Sequence, residues 1–433
     1  GRYDGHYYFA PGKRFGFFPS VAVGYNISRE KFFEKFSDVV SNLKLRASWG
    51  LVGNDQIGGE RYIYLSNIEL ENGDLGYTTG RDQNISKNGP KYIRYANNDI
   101  TWEVGSKWNF GIDFGIKNEL NITFDIFKEI RNDIFMERQQ IPDYWGTNGK
   151  DKWMNLATKM YGNLGKVENK GLDFSIDYVK RFDMSFKGTF TYAHNKVLEY
   201  DEPDFQKYPN ISRVGHSVDQ QLLYIAERLF IDDSEVQRNP KQNLGGWVSG
   251  GDIKYKNLPD VNGNYDNVID SNDRQYTGMP TTPEIVYGFG PSFRYKKFDF
   301  SFFFQGAARV SIMMNGIHPF GAEGTRNVLQ FIADDYWSET NQNIYAEYPR
   351  LSKRDNENNT KASTYWQRNG AFLKLKNLEV GFNHKFFRVY LRGSNLLTFS
   401  PFKYWDPEMG SGSGLSYPTQ RVFNVGVQFS INK

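Results

Sequence analysis

Apolar side chains recur at every second position through much of this chain. In 108–117, Trp108, Phe110, Ile112, Phe114 and Ile116 alternate with Asn109, Gly111, Asp113, Gly115 and Lys117. In 172–178, Leu172, Phe174, Ile176 and Tyr178 alternate with Asp173, Ser175 and Asp177; near the end Phe423, Val425, Val427, Phe429 and Ile431 alternate with Asn424, Gly426, Gln428 and Ser430. Neighbouring strand residues point to opposite sheet faces, so each segment has one apolar and one polar face. The pattern predicts strands near 1–8, 15–28, 42–52, 106–118, 120–136, 164–182, 184–199, 283–296, 298–309, 370–383, 386–400 and 420–432. Four junctions are very short, around 118–120, 182–183, 296–297 and 384–385, whereas 53–105, 137–163, 200–282, 310–369 and 401–419 are long connections. Short turns at one end and long loops at the other suit a transmembrane β-barrel, with lipid on one side of the wall and a wet lumen on the other.

Parity sharpens the assignment. The segment 222–230 also has strand character, but counting it in the wall would place the 296–297 turn on the long-loop side. It is therefore assigned to the long loop, leaving twelve wall strands with the C-terminus at the short-turn end. Residues 29–41 become a longer short-side connection with room for one helical turn. Phe298, Phe300, Phe302 and Phe304 form an aromatic file, and Tyr295, Trp108 and Tyr178 fall near strand ends, where amphipathic rings favour a membrane interface.

Composition narrows the class. Hydrophobic residues make up 39% of the 433, yet aromatics reach 17%, which a disordered chain would lack. No apolar run approaches the length of about 18 residues that a membrane helix needs. A net charge of +3 is too balanced to argue for nucleic acid, and the absence of cysteine excludes disulfides and thiolate metal sites. Residue 1 enters at Gly-Arg-Tyr-Asp-Gly with no basic or apolar leader, so the chain reads as a C-terminal piece of a longer polypeptide or as a cut precursor. A soluble β-sandwich or propeller is the alternative. Predicted strands of ten to fifteen residues exceed the usual five or six, and the segregation of loop lengths also favours the barrel.

Several stretches carry a family resemblance in collinear order: 14–25 (RFGFFPSVAVGY), 43–54 (LKLRASWGLVGN), 102–113 (WEVGSKWNFGID), 165–173 (GKVENKGLD), 348–351 (YPRL), 372–378 (FLKLKNL), 393–399 (GSNLLTF) and Asp406-Pro407-Glu408. With these, the chain resembles the SusC/RagA group of TonB-dependent outer-membrane transporters. The resemblance implies a barrel of about 22 strands, of which these are about the last twelve. It also implies an N-terminal barrel half, a lumenal plug and a TonB-engaging segment outside this sequence, a SusD-like surface lipoprotein as partner, and import of oligosaccharides or peptides. Long loops would then be extracellular, the C-terminus periplasmic, and outer-membrane lipid the solvent of the wall. A siderophore or cobalamin receptor and a non-transporting structural or adhesive barrel are the alternatives. The end, 428–433, lacks the terminal aromatic residue of the pattern.

Three features have candidate chemistry. In 260–273, Asp260, Asn262, Asn264, Asp266, Asp270 and Asp273 offer oxygen ligands of the kind a Ca²⁺ loop uses. About two residues are inserted relative to the family's loop, and Asn267 stands where a turn-making Gly is expected. The alternative is an Asx-rich turn held by its own backbone. The loop aromatics Tyr144, Trp145, Trp153, Trp247, Tyr336, Trp337, Tyr404 and Trp405 could stack on sugar rings; packing among ordered loops is the simpler reading. In 326–337, Val328, Leu329, Phe331, Ile332 and Tyr336 have helical spacing, which predicts a short amphipathic helix for partner docking or rim packing. Lys44, Arg46, Asp113, Asp173, Asp177, Lys187, Arg294, Arg388 and Arg392 fall on polar strand faces and are expected to line water or form salt bridges. No paired metal spacing joins the five histidines, and nucleophile-elbow and phosphate-loop motifs are missing, so the sequence points away from an enzyme.

Overall fold

The computed structural model describes residues 1–58, 61–140, 159–180, 183–315, 328–352 and 356–429. Eleven strands form one antiparallel sheet in sequence order. They are β1 (Ser20–Asn26), β2 (Val40–Asn54), β3 (Glu103–Ile116), β4 (Leu120–Glu137), β5 (Tyr161–Lys180), β6 (Met184–Glu199), β7 (Ile285–Tyr295), β8 (Phe298–Ala308), β9 (Phe372–Asn383), β10 (Phe387–Phe399) and β11 (Val422–Phe429). Strand β5 has 20 residues and β4 has 18, about twice the 9–11 that cross a bilayer. The surplus carries the wall beyond hydrocarbon and gives the loops a rim to stand on.

Local chemistry closes the short turns. Lys117 and Asn118 both have positive φ (50° and 56°), and the Glu119 amide donates to the Ile116 carbonyl at 2.9 Å. Two successive left-handed residues match the right-handed twist of the flanking strands, and Asn tolerates that conformation better than most residues. Between β7 and β8 a single left-handed residue, Lys296 (φ 55°), makes the reversal.

The apolar face of the wall points outward. Val23, Phe110, Ile112, Ile126, Phe293, Leu391 and Val425 are all exposed, whereas charged residues of the opposite face are partly shielded by mutual ion pairs. An outward row of Val, Ile and Phe is unfavourable in water and favourable in lipid. The strands that carry this face are the spanning elements of a transmembrane β-barrel wall; among the described residues no helix is long and apolar enough to cross a membrane.

The expectation of twelve wall strands meets one local difference. The first, short strand Arg2–Gly5 pairs with Phe15–Phe18 rather than joining the main sheet. Pro19 lies between Phe15–Phe18 and β1 and has no N–H for the ladder; its carbonyl still accepts from the Leu51 amide at 2.9 Å. Residues 27–36 form two 3-10 turns, Ile27–Arg29 and Lys31–Phe36, in the connection where a helical turn was expected.

The long connections build structure of their own. Gln221–Tyr224 pairs with Arg274–Thr277, and Ala226–Leu229 with Ile253–Tyr255. The strand-like segment 222–230 thus belongs to a loop platform, outside the wall. Leu223, Leu229, Ile253, Tyr255, Met314, Tyr348, Trp366 and Phe402 form the platform core, drawn from three separate loops. In 53–105, Asn67–Thr79 and Ile85–Arg94 make a long hairpin that the expected open connection did not include. The expected helix in 326–337 is shorter, Gln330–Asp334, and buries Ile332 in the platform core.

Candidate functional site

The polar face of the wall is organised by arginines that bridge strands. Arg46 on β2 donates to both carboxylate oxygens of Asp113 on β3 (3.0 and 2.9 Å) and to Asp125 on β4 at 2.9 Å. Gly111 faces Arg46 and Asp125 across the ladders, and a Cβ there would lie 2.7 Å from the guanidinium and 2.3 Å from Asp125 Oδ1. The arrangement repeats nearer the other sheet edge. Arg388 on β10 donates to Asp299 on β8 and, at 2.6 Å, to Glu379 on β9, while Gly381 between them leaves space for the pair. In both triads a missing side chain on the central strand lets its neighbours meet. Asp173 instead accepts from the Thr191 hydroxyl at 2.6 Å, and Arg392 donates to Asn377 at 3.3 Å.

Above the first triad, toward the long-loop end, lies a recess of about 670 Å³ on the same face. Its floor is the polar parity of β4, β5 and β6, with Glu129, Arg131, Asn169 and Asn195, and Glu199 joins its edge beyond a register shift that pairs it with Lys166. A register shift between Arg131 and Ile134, with Asp133 at φ 57°, turns Ile134 and Met136 toward the recess. The returning loop forms its lid. Ser217 Oγ donates to the Asn195 carbonyl (2.8 Å), the Val218 amide donates to Asn195 Oδ1 (2.7 Å), and the Arg213 guanidinium donates to the Val218 carbonyl (2.8 Å) while lying 5.1 Å from the Tyr200 ring centre. A space of this size with apolar walls and a few fixed donors and acceptors can seat a small polar ligand or part of a longer one.

The platform over this wall is held by a buried polar ring. Asp252, fully buried, accepts from Arg350 (2.7 and 3.1 Å), Asn356 (3.0 Å), Asn359 (2.8 Å) and the Ser249 amide (2.8 Å). Asn358 and Gln242 extend the ring to the Ile253 carbonyl. At the rim, Lys374 on β9 is 1% exposed and donates to Asp406 and Glu408, both at 2.5 Å. Burial alone would push the Asp406 carboxyl up, but Lys374 and the Glu408 amide hold it below its ordinary range. Glu235 behaves likewise: burial opposes its charge, yet Arg228, the Ile231 amide and Lys254 together hold it at about 2. Burial and a 2.6 Å hydrogen bond to Glu347 push the Tyr404 phenol up to about 12.

The candidates named from sequence have distinct fates. Tyr144, Trp145 and Trp153 lie outside the described residues. Trp337 is buried, and Tyr336, Tyr404 and Trp405 pack against the platform core. Gly251 makes room for Trp337: its φ is 81°, and a Cβ there would sit 2.2 Å from the indole. Trp247 is 68% exposed and stacks on the Arg350 guanidinium at 4.3 Å. Five of the aromatics are thus platform elements, and none of those five lines the recess. In 260–273 the carboxylates already serve the backbone. Asp260 accepts from the Asn262 and Asn264 amides (both 2.9 Å), Asp266 from Val268 (3.0 Å), and Asp270 from Asn272 (2.8 Å). Asp273, buried, accepts from Leu258 (2.6 Å) and Asp270 (2.8 Å). The Asn264 amide, with Asn262, keeps Asp260 low, while burial pushes Asp273 up. Asn267 adopts φ 59°, so the turn survives without Gly. Among the described residues no three carboxylate or imidazole groups converge as a metal cluster.

Sequence reading missed the recess and the Asp252 ring. Strand parity carries the signal for the first, because Glu129 and Arg131 share the face of Asp125. Nothing local marks the second.

No family model matches the chain. It is 27% identical over 459 residues to the TonB-dependent receptor P3 of Formosa agariphila, covering 98% of this chain and 43% of that protein. It is 28% identical over 450 residues to the TonB-dependent receptor SusC of Bacteroides thetaiotaomicron, covering 98% and 41%. The chain therefore spans less than half the length of these curated relatives. A structure of the RagAB peptide transporter superposes with a TM-score of 0.68 at 22% identity, covering 98% of this chain and 44% of that one.

Proposed function

We propose that this chain, similar to SusC/RagA proteins and built as part of a transmembrane β-barrel, forms the wall and outer platform of a TonB-dependent importer of nutrient oligomers, oligosaccharides or peptides, in a bacterial outer membrane. The supporting observation is the recess. It lies on the wet face, between a charged wall and a loop pinned to that wall, where a polar oligomer entering from the long-loop side would meet fixed donors and acceptors. In this reading the long loops are extracellular and the C-terminus periplasmic.

Among the described residues β1 and β11 are the open edges of the sheet, and lipid does not tolerate an open sheet edge. The N-terminal barrel half closes them, and the arginine triads of the wet face meet a plug. A SusD-like lipoprotein would cover the platform, and TonB would act through the plug side. The relatives' names support this reading: SusC is called a TonB-dependent receptor and RagAB a peptide transporter.

Growth of a strain deleted for the complete gene tests the proposal. The strain should lose growth on an oligomeric nutrient, keep growth on its monomer, and regain the former only with a wild-type gene and intact TonB. Undiminished growth on every oligosaccharide and peptide tried, or rescue without TonB, would contradict it.

A further inference from the structure

The outward face of the wall changes chemistry abruptly along one sector. Phe110, Ile126, Leu172, Tyr192 and Ile285 face one another from β3 to β7 and form a continuous apolar row. Two residues nearer the long-loop end, the corresponding row reads Trp108, Lys128, Lys170 and His194, and Lys196 stands opposite Glu168 just beyond. Arg309, at the end of β8, completes the edge. Its Nε donates to Glu284 at 2.6 Å, and Glu284 also meets His194 Nδ1 at 2.5 Å.

These side chains reach outward from the barrel. Lys128 is 50% exposed and Lys170 60%, although Glu168 lies 2.6 Å from one and 3.6 Å from the other. Four permanent cations, Lys128, Lys166, Lys170 and Lys196, share this face with only two carboxylates, Glu168 and Glu199, while Arg309 and Glu284 neutralise each other at its edge. The excess positive charge sits where the apolar row stops, beside Trp108, whose amphipathic ring favours the headgroup level. Long lysine stems can lie along the apolar row while their ammonium groups stay in the polar layer. The patch is confined to one sector, since the corresponding end of β9 and β10 carries Leu373, Leu397 and Phe399. Solubility alone would give no reason for cations to gather on one side.

We propose that this sector, around Lys128, Lys170 and Lys196, binds the phosphate groups of membrane lipids in the leaflet that meets the long-loop end. Charge complementarity identifies the occupant, and continuity with the lipid-facing row places it in a membrane. Glu168 holds two of the lysines in register, so that their ammonium groups present a preformed pair of donors to a phosphate oxygen. The inference rests on the membrane-barrel reading and is independent of the transported substrate.

The test uses the complete transporter reconstituted in phosphatidylcholine vesicles containing a minority of phosphatidylglycerol. Vesicle co-flotation is scored first, and phosphatidylglycerol retained per protein is then measured by native mass spectrometry after detergent extraction. The wild type should retain the anionic lipid. The Lys128→Gln/Lys170→Gln/Lys196→Gln variant should still co-float and melt as the wild type does, with affinity lower by about fivefold for each lysine removed. Lys241→Gln, on the platform, should change nothing. Equal retention by the triple variant would overturn the inference while leaving the barrel intact. Displacement of the lipid by inorganic phosphate as readily as by fresh anionic vesicles would also overturn it, by showing an anion site without lipid. Failure of every form to co-float even with neutral vesicles would strike the barrel reading itself.

Discussion

The wall and the platform solve opposite solvation problems with one chain. On the wall, Ile112 is 42% exposed and Val425 76%, while the charged side chains of Arg46 and Asp125 turn inward to each other. On the platform, Trp366 and Tyr348 are almost fully buried, and Tyr345 stands 75% exposed at the surface. Exposure therefore has no fixed meaning in this molecule. An exposed apolar residue of the wall is solvated by lipid, while an exposed residue of the platform is solvated by water. Ion pairs diverge too: Asp252 is fully buried in a ring that satisfies it, whereas the Arg388 triad, about 22% exposed, borders the wet lumen.

The largest expected effect is on the platform. Asp252→Ala strands Arg350, Asn356 and Asn359 in a buried site, and should cost the platform about 3–5 kcal/mol. Hydrogen exchange should show Ile253 and Tyr255 losing protection while the wall amides of β4 and β5 keep theirs. If protection falls equally everywhere, platform and wall are one cooperative unit and the comparison fails.

Next comes a pair of substitutions that exposure alone would rank wrongly. Ile112→Arg, at the middle of the wall, should destabilise the barrel by about 2–4 kcal/mol in a bilayer. Tyr345→Arg, at a more exposed position, should stay within about 0.5 kcal/mol. Reversible unfolding from vesicles reads both, and equal costs would remove the distinction between the two solvents.

Acid should loosen the platform before the wall. Glu235 is held at about 2 against an ordinary value of 4.5, so its ionised form stabilises the folded state. That contribution, at most about 3 kcal/mol, is complete above about pH 4.5 and drains away as pH falls toward 2. Glu235→Gln should flatten this part of the pH–stability profile; an unchanged profile would assign the acid sensitivity elsewhere.

Calcium should have the smallest effect. Backbone amides already hold the 260–273 carboxylates in an Asx-rich turn, and both oxygens of Asp273 are engaged, so calorimetric titration of the complete protein with Ca²⁺ should give no saturable heat. A stoichiometric binding isotherm would restore the metal reading of that loop.

The same contrast explains what could be read from the residues alone. Wall strands announce themselves because lipid on one side and water on the other impose a two-residue period, visible in 108–117 without any partner. Even the exclusion of 222–230 followed from parity. The platform has no such period. Its core brings Leu223, Met314 and Phe402 together from loops far apart in the sequence, and Asp252 meets Asn359 across 107 residues. Asn, Asp and Gln in such a ring look like ordinary loop composition. Trp337 and Trp405 read as packing elements more simply than as sugar platforms, but the residue type alone serves both uses. The recess falls between these cases. Its floor follows from strand parity, but its lid depends on where residues 213–218 return.

The central claim is that the Val-, Ile- and Phe-bearing side of the wall touches hydrocarbon. This chain has no cysteine, so spin labels can be placed one at a time at Asn109→Cys, Phe110→Cys, Ile112→Cys and Thr123→Cys in the complete protein, with any cysteine outside this sequence replaced first, reconstituted in vesicles and with relaxation measured against molecular oxygen and a water-soluble nickel chelate. Labels at 110 and 112 should be reached by oxygen and shielded from nickel, and labels at 109 and 123, on the opposite face, should show the reverse. Nickel access at 110 and 112, with oxygen preferring 109 and 123, would contradict the account.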